Sequence, residues 1–149
     1  METYSPYQEL VVMLMGAIVP ELWEKVLHYN SKNVFLKCIY NTEKKCLQNQ
    51  FHPGDVFEFV QGTQRIYNLG TQKTWRTNAT LEAIELSVRK MLKLATEQHV
   101  KDIAMPKIGA GLGGLPWEDV KLLLQQLAME YPTVNLIVVE NYNNGISIQ

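Results

Sequence analysis

Cysteine is scarce in this chain. Cys38 and Cys46 are its two thiols, and one such pair makes neither a disulfide framework nor a zinc-ligand spacing. They read as reduced, half-buried side chains. Histidine is sparse as well. His28, His52 and His99 lie far apart, and each reads as a surface or packed imidazole rather than a base. Neither sign of charge dominates: 14 Lys and Arg face 15 Asp and Glu, for a formal net charge of −1. The basic field that holds a nucleic-acid backbone is missing, so nucleic-acid binding is not signalled. Long hydrophobic runs are missing too. Leu10–Val19 is apolar but falls short of the roughly 20 residues of a membrane span. Glu2 and Glu9 stand where a secretory leader would carry basic residues. A cytoplasmic protein without metal, bound cofactor or membrane contact is expected.

What is present suits one globular domain over residues 1–149, with 46% hydrophobic and 19% charged residues. Leu10–Met15 reads as a strand or the start of a buried helix; periodicity does not decide. Pro20–Glu24 suits a helix first turn. Phe35, Cys38, Ile39, Thr42 and Cys46 fall at helical spacing, although the alternation Val34, Leu36, Cys38, Tyr40 also fits a strand. Val56–Val60 and Arg65–Leu69 predict two strands joined by a hairpin loop containing Gly62. Leu81, Ile84, Val88, Met91, Leu92 and Ala95 stripe a helix over residues 80–98. Asp102–Met105 reads as a short buried strand. Val120, Leu123, Leu124, Leu127 and Tyr131 stripe a second helix, and Val134–Val139 reads as a central strand covered on both faces. Strands alternating with helices predict an α/β sheet with helices packed on it.

The densest signal is Gly109, Gly111, Gly113 and Gly114, set between the short strand and the Pro116 helix. Glycines let backbone approach a ligand closely, and a helix N-terminus beside them adds positive partial charge. The pattern suggests a cradle for a phosphate or diphosphate held by main-chain N–H groups. Gly109-x-Gly111-x-x-Gly114 also matches the dinucleotide fingerprint, with Glu140 near the place of its ribose-binding acid. Pro106 and Lys107 interrupt the direct strand-to-glycine turn of that fingerprint, and Pro116-Trp117 stands where it wants small residues. No Gly-Lys-Ser/Thr follows, which excludes a P-loop. A plain connector is the remaining reading, but it needs fewer glycines.

Pro106-Lys107-Ile108-Gly109-Ala110-Gly111-Leu112-Gly113-Gly114-Leu115-Pro116-Trp117-Glu118-Asp119-Val120 resembles the second ligand loop of macrodomains. The likeness is to the branch containing the terminal ADP-ribose protein glycohydrolase and the antitoxins that remove ADP-ribose from DNA. Gly54-Asp55-Val56-Phe57, Tyr67-Asn68-Leu69-Gly70-Thr71, Thr74-Trp75-Arg76, Leu81-Glu82-Ala83-Ile84 and Ile137-Val138-Val139-Glu140 continue it, over about residues 50–142. The resemblance implies a three-layer α/β/α fold with a mixed sheet and an ADP-ribose ligand, free or carried on a macromolecule. It implies that Ile108, Gly109, Ala110, Gly111, Leu112, Gly113 and Gly114 wrap the diphosphate and distal ribose and that Thr71 and Gln72 also lie beside the distal ribose. Tyr142 lines an adenine pocket or simply covers the sheet end.

Two departures from the family pattern stand out. Residues 1–15 show neither the opening strand ending in Gly-Asp nor a Gly-rich first loop; Met15-Gly16-Ala17-Ile18 reads as a shortened remnant. The first strand is therefore expected to be altered or absent. The branch also carries a nucleophilic lysine where Gln72 stands, and some members an aspartate where Gly113 or Gly114 stands. An amide has no basic lone pair for attack on the ribose anomeric carbon. Lys73, one residue later, points the opposite way in an extended segment. No residue is assigned as catalytic. Three readings remain: an ADP-ribose-binding module, a glycohydrolase using Lys73, and an interaction module whose pocket is completed by a second copy of the chain. Trp75 stacks on a base or ribose, contacts a partner or serves the loop itself, and Arg76 pairs with phosphate or is merely solvated.

Overall fold

The computed structural model describes residues 10–14, 41, 44, 45, 48, 50–61, 64–73, 77–111 and 113–139. In chain order the elements are β1 (Leu10–Leu14), β2 (Val56–Gln61), β3 (Gln64–Leu69), α1 (Leu81–Glu97), β4 (Asp102–Pro106), α2 (Trp117–Glu130) and β5 (Asn135–Val139). The strands form one mixed sheet in the order β2-β3-β1-β4-β5. β2 and β3 make the expected hairpin, antiparallel from Val56↔Leu69 to Gln61↔Gln64. The other neighbours are parallel, and the pair β4 and β5 is joined by the crossover helix α2 that such pairing needs.

Leu10–Leu14 is a strand, and it lies between β3 and β4 in the middle of the sheet. An unbroken apolar run suits such a strand, because helices shield both faces of a parallel sheet. The expected alteration of the first strand concerns residues 1–15, of which Leu10–Leu14 is this strand and the others lie outside the described residues. So do the Pro20 helix and most of the helix after Ser31, of which Asn41, Lys44 and Lys45 have helical backbone.

The last strand departs from expectation. Its apolar character predicts a central position, yet β5 is the outermost described strand beside β4. Leu136, Ile137 and Val138 are half-buried and Asn135 is exposed. An apolar run reports that the faces of a strand are covered; it carries no information about how many neighbours lie in the sheet plane.

α1 begins at Thr80, whose Oγ1 accepts from the Ala83 amide at 3.1 Å, satisfying one orphan donor of the first turn. Its stripe of Ile84, Val88, Met91, Leu92 and Ala95 is fully buried against Tyr67 and Leu69 of β3 and Ile103 and Met105 of β4. α2 adds Val120, Leu124 and Leu127 to the same core, with Trp117 packed partly against it. Arg89 ties the two helices, pairing with Glu130 and, at 3.2 Å, with Glu85. Both helices start just beyond the C-terminal ends of parallel strands, which is where open α/β sheets bind ligands.

Candidate functional site

The glycine loop runs from β4 to α2 and holds its own shape. The Ile108 amide donates to the Pro106 carbonyl at 2.9 Å, Leu115 to Gly109 at 2.9 Å, Gly114 to Gly111 at 3.1 Å and Ala110 to Lys107 at 3.4 Å. The Ile108 side chain is fully buried and anchors the loop in the core. Gly109 and Gly114 have φ of 72° and 75°, a region that side-chain-bearing residues avoid. Gly113 is required by space instead: a Cβ there would stand 2.6 Å from the Gly109 carbonyl oxygen and 2.9 Å from Ala79 Cβ. Gly111 differs from the rest. It is exposed, and a Cβ at that position meets nothing within 4 Å.

Four of the loop amides are thus engaged inside the loop. Among the described residues, the amides of Gly109, Gly111 and Gly113 have no acceptor. Leu112 lies outside the described residues, as do Tyr142, Trp75, Arg76 and Glu140.

Two other segments join the loop. The Ala79 amide donates to the Gly113 carbonyl at 2.9 Å, and the Thr80 amide to the Thr71 carbonyl at 3.4 Å. The start of α1 therefore links the chain after β3 to the chain after β4. Ala79 carried no sequence signal, since a lone alanine in a polar loop looks like any other. Thr71 is fully buried, and its Oγ1 has no hydrogen-bond partner among the described residues. Gln72 is 2% exposed, while Lys73 is exposed. Gln72 is therefore enclosed while its neighbour Lys73, at a bend, is open to solvent.

Just before Thr71, Gly70 is gripped by the turn that precedes β2. Its amide donates to the Asp55 carbonyl at 2.9 Å, and its carbonyl accepts from Gly54 at 2.7 Å. A Cβ on Gly70 would collide with the His52 carbonyl oxygen. The Asp55 carboxylate accepts from the His52 amide at 3.0 Å and from Lys90 Nζ at 3.1 Å. Desolvation pushes this carboxyl up, but the bonds from Lys90 and the His52 amide outweigh it and hold it below the ordinary aspartate value.

Among the described residues no three His, Cys, Asp or Glu side chains gather to hold a metal ion, and no helix is long and apolar enough to cross a membrane. Residues 32–124 match the family model of the Macro domain. The chain belongs to the Macro domain family. Over 105 residues this macrodomain is 32% identical to a DNA ADP-ribosyl glycohydrolase of Thermus aquaticus, covering 68% of the chain and 29% of that protein. Over 94 residues it is 29% identical to the human ADP-ribose glycohydrolase OARD1, covering 63% of the chain and 62% of that protein. The chain thus spans less than a third of the Thermus relative. The solved macrodomain of Thermus aquaticus DarG superposes with a TM-score of 0.73 at 27% identity, covering 92% of this chain and 91% of that one. Thermosipho africanus DarTG in complex with ADP-ribose has a TM-score of 0.71 at 16% identity, covering 96% and 40%, a likeness of fold. The α/β/α macrodomain reading of the sequence is therefore correct.

Proposed function

We propose that this macrodomain binds ADP-ribose, free or attached to a macromolecule. In this reading the glycine loop takes the diphosphate through its unengaged amides, and Thr71 and Gln72 face the distal ribose. Tyr142, outside the described residues, is assigned to the adenine side by its sequence place alone. The observation that carries the reading is Gly111, the loop glycine whose missing side chain opens onto empty space beside amides with no internal acceptor. Two helix N-termini at this end of the sheet favour an anion there. The Thermosipho protein of the same fold was solved with ADP-ribose.

Binding without turnover follows from Gln72, which stands where the branch places its nucleophilic lysine and cannot act as one. Titration calorimetry with ADP-ribose tests the binding. A ligand at about 100 times its Kd stabilises the native state by about 2.7 kcal/mol, so the melting temperature rises by several degrees. Absence of both binding heat and a melting shift would overturn the reading.

Hydrolysis is the second reading, favoured by the glycohydrolase names of the Thermus and human relatives. Release of ADP-ribose from modified DNA or protein by the wild type, and not by Lys73→Ala, would replace the first reading with this one.

A further inference from the structure

Asp55 sits outside the glycine loop, yet it controls the backbone that leads into Thr71. Its carbonyl takes the Gly70 amide, while its carboxylate is locked twice, to the His52 amide inside the turn and to Lys90 on α1. The turn also lies against α1 one helical turn away from Lys90. A Cβ on Gly54 would stand 3.2 Å from Leu86 Cδ1. α1 in turn bonds Thr71 through the Thr80 amide. Gly70 and Thr71 are thus held from two sides, by the turn and by the start of α1. The Asp55 carboxylate supplies the polar tie between the two sides, beside the Gly54–Leu86 contact.

We infer that Asp55 is a positioning residue that sets the Gly70–Gln72 segment against the distal ribose of the bound nucleotide. This rests on the binding reading above. Without the carboxylate the turn loses its polar tie to Lys90 and its bond to the His52 amide, so the Asp55 carbonyl that accepts from Gly70 is held less firmly. The consequence falls on the ribose end of the ligand. The diphosphate end is held by a loop that has no bond to Asp55.

The test compares ADP-ribose with ADP, which lacks the distal ribose, by calorimetry on the full chain. Asp55→Ala is expected to weaken ADP-ribose by about tenfold, the scale of a sub-ångström misplacement of a binding group. ADP should change by less than about twofold, because distant sites do not couple. Asp55→Asn, which keeps an acceptor for the His52 amide, recovers part of the loss. Lys90→Ala, a surface change with little risk to folding, weakens ADP-ribose in the same sense. Hydrogen exchange supplies a ligand-free readout: the Gly70 amide exchanges faster in Asp55→Ala while the buried amides of α1 do not. Equal losses for both nucleotides, or no loss for either, overturn the inference. A wild type that binds neither nucleotide overturns the binding reading and this consequence with it; unchanged Gly70 exchange then overturns the clamp separately.

Discussion

The Gly109 carbonyl oxygen lies 2.6 Å from the point that a side-chain carbon on Gly113 would occupy. Real Cβ atoms do not tolerate such a contact with backbone, so the loop must move to accept any larger residue. Gly113→Ala is expected to cost about 1–3 kcal/mol, the usual range for overpacking, read as a lower melting temperature. Gly113→Asp, larger still, is expected to lose at least as much stability and to confer no hydrolysis.

Gly111 should behave oppositely. Its side-chain direction is open, so Gly111→Glu is expected to leave the melting temperature of the free protein within a degree or two, as surface changes of about 0.5 kcal/mol do. A carboxylate there repels a diphosphate, and ADP-ribose affinity should fall by at least about tenfold. Intact affinity in that variant would show that the ligand sits elsewhere.

Tyr67 reports on the alkaline limit. It is fully buried, its hydroxyl donates to Gln98 Oε1 at 2.5 Å, and Gln98 Nε2 donates to Glu58 Oε2 at 2.5 Å. Burial and then the Glu58 charge push its hydroxyl up to about 12, although Arg65 acts the other way. The folded state therefore favours the neutral phenol. That contribution is complete below the ordinary tyrosine value near 10 and is lost as pH rises towards 12. At most it amounts to about 3 kcal/mol. Tyr67→Phe should be less stable at neutral pH but should show a flatter decline between pH 10 and 12, followed by thermal melts across that range.

Asp55 governs the acid side in the opposite sense. Its carboxyl is held below the ordinary aspartate value of 3.8, so its contribution is present above that value and disappears as pH falls through the folded-state one. Urea midpoints taken downward from pH 5 should fall in the wild type, and Asp55→Asn should remove part of that slope. An identical slope in the two proteins would mean that other carboxylates set the acid limit.

Much of the architecture could be read from residue order. The stripe Ile84, Val88, Met91, Leu92 and Ala95 marked α1, and Val56–Leu69 marked the hairpin, because helical and strand periodicities are local and repeat within a few residues. The glycine loop was legible for the same reason, as four small residues crowded between a strand and a helix. Sheet position was not. Leu10–Leu14 and Asn135–Val139 are both apolar, yet one is central and the other is the outermost described strand. Side-chain hydrophobicity records face coverage, whereas strand order is decided by hydrogen bonding between distant segments.

Local chemistry thus sufficed to establish where this macrodomain bends and where it buries its helices. Three-dimensional packing alone decided which glycine is free and which are needed for the loop: Gly113 is pinned by Gly109 and Ala79, while Gly111 faces open space. Packing alone also brought Asp55 to Gly70 and Lys90. Such contacts join residues far apart in the chain, and no pattern within a short window of sequence records them.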